Sequence, residues 1–312
     1  VTEARSDELL AFAAFVQSAT GATEVATGGE RIQSLWGGYG ELVRVRLVGA
    51  SRSTVVVKWA RLPAHRFGES GASHARKCRS YDVETAFYER VSARCDDSCR
   101  VARAVGTRVR SGEWLLVLED LDEAGFARRT REPRGADLAA CLGWLASFHA
   151  RFLGQSAEAN GLWPVGTYWH LATRQDELRA ASRHDPSWPS RATALDAKLR
   201  AARFTTLVHG DAKPANFCFA DNATDAIDAG GGAAVAAVDF QYTGGGPGIV
   251  DVAYLLHGAS PGALAASLDV YFTRLRAVLP GSVDAAALEA EWRGLFPVAL
   301  ADFERFLAGW HR

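Results

Sequence analysis

Apolar positions along this chain keep two periods, and the switch between them divides it. In the first third they alternate or run unbroken over short stretches, which marks strands. Glu41 to Val48 alternates, while Thr54-Val-Val-Val-Lys-Trp-Ala60 and Glu113-Trp-Leu-Leu-Val-Leu-Glu-Asp-Leu121 are nearly continuous, as in buried strands. Arg31 to Trp36 leads through Gly37-Gly-Tyr-Gly40 into Glu41, so strand, glycine turn and strand form a hairpin. Two helical stretches interrupt. Residues 7–18 are amphipathic with acidic residues in the first turn, and Tyr81 to Val91 places Val83, Phe87 and Val91 on one face. Between them Ser73 to Arg79 reads as a basic loop. Asp122 to Asp137 is polar, with Gly and Pro, and reads as a hinge between two lobes. Beyond it the spacing is helical over 137–152, 171–181, 190–202, 264–279 and 284–307, with Trp292, Phe296, Phe303 and Phe306 as core.

One stretch breaks the helical half. Leu207 and Val208 precede, and Phe217, Cys218 and Phe219 follow, a polar segment holding His209, Asp211, Lys213 and Asn216 in the pattern H-x-D-x-K-x-x-N. This is a short loop between two buried strands, bringing four polar side chains to one rigid base. Phosphoryl transfer needs a carboxylate to orient and deprotonate a hydroxyl, a cation near the moving group, and oxygen ligands for magnesium. Asp211 fits the base, Lys213 the cation and Asn216 a metal ligand. A second hard ligand is Asp239, which ends the apolar run Val235-Ala-Ala-Val-Asp-Phe-Gln241. A polar turn in which Asp211 merely caps local backbone is the competing reading, and the combined pattern outweighs it.

Other positions carry two readings each. Gly37, Gly38 and Gly40 serve a plain hairpin turn or a backbone cover for nucleotide phosphates. Lys58 interrupts a buried run. It is either an edge-strand lysine facing water or an anchor for α- and β-phosphates, and the second needs a carboxylate partner. Glu84, beside the apolar stripe of the next helix, is that partner; Glu89 points elsewhere. Backbone near Glu119, Asp120 and Leu121 suits an adenine ring whatever the side chains. Asp251 opens an apolar helix and either caps it or braces the catalytic loop. Gly161 to His170 is aromatic-rich, and Tyr168 and Trp169 form either a substrate wall or packing. His149 reads as a satisfied core histidine. Gly244 to Gly248 reads as a turn, and Asn222 to Gly232 as a hairpin tip.

Composition narrows the partners. The chain has 312 residues, 48% hydrophobic and 23% charged, with a net charge of −1. That is ordinary globular composition, with no basic field for nucleic acid or anionic membrane. Five cysteines are scattered without a C-x-x-C pair, which fits free thiols in a reducing compartment. No apolar run approaches a membrane span and no secretory h-region opens the chain, so a cytoplasmic location is expected. No protein partner is evident.

Ser80-Tyr-Asp-Val-Glu84, Leu118-Glu-Asp-Leu121, Val208-His-Gly-Asp-Ala-Lys-Pro-Ala-Asn216, Ala237-Val-Asp-Phe-Gln241 and Asp251-Val-Ala-Tyr254 together resemble the aminoglycoside phosphotransferase and choline kinase superfamily. They look most like its ecdysteroid-kinase-like small-molecule kinases. The resemblance implies a bilobal, protein-kinase-like α+β fold: an N-terminal nucleotide-binding lobe (1–118) with an antiparallel sheet and one key helix, a hinge (119–122), and a larger, mostly helical C-terminal lobe (123–312). It implies ATP and Mg2+, Asp211 as base, Asn216 and Asp239 as metal ligands, and Lys58 with Glu84 as the phosphate-anchoring pair. Gln241 stands where protein kinases have the glycine of Asp-Phe-Gly, and no Ala-Pro-Glu follows, so no peptide-docking segment is visible. The expected activity is ATP-dependent phosphorylation of a hydroxyl on a small, partly apolar or choline-like molecule. A protein Ser/Thr kinase and a nucleotide-binding pseudokinase are the alternatives.

Overall fold

The structure, a computed structural model, describes residues 3–26, 29–62, 71–220 and 235–310. The 222–232 hairpin tip expected above lies outside the described residues. The chain forms two compact units, residues 1–94 with 102–127, and residues 95–101 with 128–312. The architecture is α+β, an antiparallel sheet in the first unit and mostly helices in the second.

The first unit comprises α1 (Glu3–Thr20), β1 (Glu24–Val25), β2 (Glu30–Ser34), β3 (Gly40–Val48), β4 (Thr54–Arg61), α2 (Gly71–Arg90), β5 (Ala104–Arg110) and β6 (Glu113–Glu119). The sheet order is β1-β3-β4-β6-β5, with β2 also on β3, and every pairing is antiparallel. Alternation along β4 decides the packing. Val55, Val57 and Trp59 point into a core closed by Phe12 and Val16 of α1. Ala60 joins Leu35, Tyr39, Tyr81 and Trp114 in a second cluster, on which Cys78 of α2 packs. Lys58 lies between Val57 and Trp59 and therefore points away from the first core. The segment Ser73 to Arg79 is helical rather than a loop. It has neither Gly nor Pro inside it, and Ala75, Arg76, Lys77 and Arg79 are strong helix formers, so α2 begins about ten residues before the apolar stripe that signals it.

The second unit comprises α3 (Ala136–Arg151), α4 (Gln175–Ser182), α5 (Trp188–Arg200), β7 (Thr206–Val208), β8 (Phe217–Phe219), β9 (Val235–Ala237), β10 (Gly244–Gly246), α6 (Ile249–Leu255), α7 (Pro261–Val278) and α8 (Ala285–Trp310). Two small antiparallel ribbons, β10 on β7 and β8 on β9, hold the loops between them. Gly244 to Gly246 is thus a strand, not part of a turn. A side chain at Gly244 would collide with the Trp163 carbonyl oxygen and the Gly166 amide, so glycine is what lets the 163–166 segment lie against β10. Trp144 and Phe148 of α3 stack with centroids 4.9 Å apart under Phe217 and Phe240, supporting both ribbons from one side.

Candidate active site

In the first unit, β4 is paired on both sides, with Lys58 opposite Leu42 of β3 and Leu116 of β6. Lys58 is therefore a central-strand residue and only 7% exposed, which removes the edge-strand alternative. Its Nζ lies 2.8 Å from Oε1 and 2.7 Å from Oε2 of Glu84, itself buried on α2. Neither charge is tolerable there without the other. Arg44 makes a second paired system. It donates to Asp120 (Nε–Oδ2 2.6 Å) and also pairs with Asp122 and Glu30. Burial works against the charge on Asp120, but Arg44 and Thr54 outweigh it and hold the carboxyl below its ordinary range. This ties residues 120–122 to β3 and β4.

The glycine turn follows the hairpin as expected, with the Leu35 N–H donating to the Gly40 carbonyl at 2.7 Å. Gly37 and Gly38 have φ of 69° and 75°. Gly40 has φ 135°, and a Cβ there would run into the Trp59 carbonyl. Glycine at 40 is thus fixed by the approach of β4, whereas Gly38 faces open space. Along the 119–121 backbone, the Glu119 N–H donates to the Arg103 carbonyl, and the Asp120 and Leu121 carbonyls accept from Ala124 and Phe126.

In the second unit, the loop from His209 to Asn216 links β7 to β8 and is pinned at several points. The Asp251 carboxylate accepts the backbone N–H of His209 (2.6 Å) and of Gly210 (2.9 Å). Asp251 is fully buried on α6 and braces this loop. It also faces Nε2 of His149 at 3.1 Å, and His149 Nδ1 meets the Tyr271 hydroxyl at 2.8 Å. His209 is fully buried. Its Nδ1 accepts from the Asp211 N–H and its Nε2 donates to the Val238 carbonyl, which assigns the tautomer. Gly210, at φ 79°, packs so close to the Tyr242 carbonyl that no Cβ fits.

This bracing presents Asp211, 5% exposed. One carboxylate oxygen, Oδ2, accepts from Lys213 Nζ (2.8 Å) and Asn216 Nδ2 (3.0 Å). Among the described residues, the other, Oδ1, is buried and makes no hydrogen bond, although the Tyr254 hydroxyl interacts with this carboxylate. Burial raises the proton affinity of Asp211; Lys213 opposes the shift and the nearby Asp239 charge adds to it. For Lys213, burial is outweighed by the charges of Asp211 and Asp239, and its pKa is raised. Asp239 follows β9 with a left-handed backbone, φ 68°, unusual for a residue with a side chain. The Val238 N–H donates to the Asn216 carbonyl, tying the Asp239 segment to the loop.

Two further hydroxyls stand beside Asp211. Tyr254 is held protonated by burial, by the Asp211 charge and by Tyr168, and Tyr168 in turn is raised by burial. Their rings are 5.7 Å apart. Tyr254 escapes sequence reasoning because it reads as one apolar position of a helix, yet it lies three residues after Asp251 and so shares its face. Of the expected aromatic wall, Tyr168 is half-buried in this position, with its backbone N–H on the Gly210 carbonyl. Trp169 is buried, and it also lines a cavity with Thr167, His170, Asp196 and Asp302. It is 1% exposed and packed on Phe303 and Phe306, with its ring 5.3 Å from that of Tyr168, which covers the same cluster. Trp292 is likewise core, its indole donating to the Phe204 carbonyl at 3.0 Å. Among the described residues, no three His, Cys, Asp or Glu side chains stand together as a metal cage.

A braced loop with a buried carboxylate, an adjacent lysine and an amide is the equipment of a phosphotransferase. Residues 33–288 match the phosphotransferase enzyme family APH, and the chain belongs to that family. No curated protein sequence matches it. Similar solved structures include an aminoglycoside-3'-phosphotransferase of type VIII, at 18% identity over 95% of this chain and 99% of that one, TM-score 0.47. Another is an aminoglycoside phosphotransferase from Streptomyces rimosus in complex with ADP and streptomycin, at 14% identity over 93% and 98%, TM-score 0.46. A third is a macrolide 2'-phosphotransferase from Brachybacterium faecium, at 15% identity over 97% of each chain, TM-score 0.49.

Proposed function

We propose that this protein is an ATP-dependent small-molecule kinase that moves the γ-phosphate to a hydroxyl, with Asp211 as the group that receives the hydroxyl's proton. The observation that carries this is the Oδ1 atom of Asp211, buried with no hydrogen bond among the described residues while Oδ2 is held by Lys213 and Asn216. An orphaned buried acceptor is costly, about 1–3 kcal/mol, unless a donor arrives. The acceptor hydroxyl is that donor. It donates to Oδ1, which orients its oxygen for attack. Lys213 offsets the negative charge that accumulates beside it. In the first unit, Lys58 takes the α- and β-phosphates, with Glu84 holding its ammonium in place.

The chain's own oxygens fit a magnesium ion. Asn216 commits its amide N–H to the carbonyl and carboxylate of Asp211, which leaves its Oδ1 as a hard acceptor. Asp239, on its strained backbone, is the second. Two protein oxygens suit an ion that keeps waters and substrate phosphates as its other ligands. Bound there, the ion neutralises phosphate charge.

The acceptor is small and partly apolar, closer to what ecdysteroid-kinase-like enzymes take than to a polycation. Tyr168 and Tyr254 flank Asp211, and Tyr168 is backed by Arg174, whose guanidinium lies over the rings of Tyr168, Phe306 and Trp310 at 5.6, 5.3 and 5.2 Å. Ring faces suit flat apolar bodies. An ATP-consumption screen over hydroxyl-bearing metabolites, with Asp211→Asn as control, tests the reading. Turnover of a neutral, ring-bearing alcohol supports it. Kanamycin as best acceptor contradicts the acceptor class, and no Asp211-dependent turnover contradicts the activity.

A further inference from the structure

We propose that Cys78 is a modification site, a thiol that His74 and Tyr39 make reactive toward low-molecular-weight disulfides. The basic segment Ser73 to Arg79 lies outside the residues assigned to phosphate transfer above, and its helical form places His74 and Cys78 one turn apart on the same face of α2. Cys78 Sγ lies 3.6 Å from His74 Nε2. On the far side of the ring, His74 Nδ1 lies 2.6 Å from the Tyr39 hydroxyl. Nucleophile, base and orienting group thus stand in line, the arrangement that activates a nucleophile. Tyr39 is fully buried in the glycine turn and its ring stacks on the imidazole at 5.9 Å, so the orienting group is fixed.

Nε2 faces the sulfur in either tautomer: without a proton it accepts the thiol hydrogen, and as N–H it donates to the thiolate. A sulfur that receives an N–H is favoured as thiolate. Arg76, Lys77 and Arg79 are sequence neighbours of Cys78, and Asp82, one turn on, is the nearest acidic residue along α2, its carboxylate accepting the Trp114 indole N–H. The thiol is half-buried, whereas Cys99, Cys141 and Cys218 are buried and burial pushes the Cys141 thiol up.

The reaction is thiol–disulfide exchange. The Cys78 proton leaves to solvent, and the thiolate attacks one sulfur of the incoming disulfide. A new sulfur–sulfur bond forms, the old one breaks, and its electron pair departs with the second sulfur as a thiolate. The disulfide is the oxidant. The adduct sits where Cys78 packs on Leu35, Tyr39, Ala60, Tyr81 and Trp114, at the base of the glycine turn. All three residues belong to the first unit, so the site stands whether or not the chain transfers phosphate.

Each tenfold gain in thiolate fraction is cut to roughly threefold in rate because the weaker base is the weaker nucleophile. The test is a short iodoacetamide pulse on the full chain at pH 7, with labelling of Cys78 read by peptide mass mapping and Cys78→Ser assigning the signal. The Cys78 rate is expected to fall about threefold in His74→Gln, and to fall also in Tyr39→Phe, which keeps the ring. Oxidised glutathione is expected to give a mixed disulfide at Cys78 that dithiothreitol removes. An unchanged Cys78 rate in both variants, or no glutathione adduct at Cys78 in the wild type, overturns the proposal.

Discussion

Replacing Asp251 by alanine should damage the catalytic loop more than any other single change outside it. The Asp251 carboxylate is fully buried and accepts two backbone N–H groups, from His209 at 2.6 Å and Gly210 at 2.9 Å, besides facing His149. Alanine leaves both N–H groups in the interior without an acceptor. Each orphaned donor costs about 1–3 kcal/mol, so the loss of stability should be about 3–5 kcal/mol once partial relaxation is allowed. The loop that carries Asp211 is tied at its start by these same two bonds, so turnover should fall with stability even where the protein remains folded. Urea unfolding followed by tryptophan fluorescence reads the first effect, and kcat measured well below the unfolding midpoint reads the second. A variant that loses less than about 1 kcal/mol and keeps wild-type kcat would refute the bracing role.

Lys58→Met should leave Glu84 as an unpaired buried carboxylate, weakening the fold by about 3–5 kcal/mol and ATP binding with it; calorimetry with ATP in a Lys58→Met, Glu84→Gln double variant separates the two. Trp169→Ala should cost about 3–5 kcal/mol of stability, as a core truncation does, whereas Tyr168→Ala should mainly raise KM for the acceptor; the reverse pattern in melting and kinetics would return Trp169 to the wall. The folded-state pKa of Asp211 is raised above its unfolded value by burial, so its ionised form opposes folding at neutral pH and the penalty is lifted as pH falls through the raised pKa. Asp211→Asn should therefore be more stable than wild type at pH 7, with an advantage that shrinks on acidification in parallel thermal melts. Wild-type kcat/KM should decline over the same acidic range, as Asp211 takes up its proton.

Legibility in the sequence followed the range of the contacts. His209, Asp211, Lys213 and Asn216 lie within eight residues, so their spacing alone describes one loop. Lys58 stood out as a charge inside an apolar strand, and the helical face of Tyr81 to Val91 supplied Glu84. What stayed hidden rests on the tertiary fold. Tyr254 reads as apolar until α6 is docked by Asp251. The link from Tyr271 through His149 to Asp251 joins three helices that no local pattern relates. The glycines at 244–246 read as a turn because only their pairing with β7, far off in sequence, makes them a strand. Tyr168 and Trp169 carry one signal in sequence, yet Trp169 is buried and Tyr168 only half-buried on the same aromatic cluster.

The most direct test of the central claim is the kinetics of Asp211→Asn on whichever acceptor the screen yields, measured beside ATP affinity. Asparagine keeps the shape and removes the proton acceptor. Turnover should drop by about two to four orders of magnitude, the scale of lost general-base help, with the dissociation constant for ATP nearly unchanged. Wild-type turnover in the folded variant would contradict the assignment of Asp211 and, with it, the proposed chemistry.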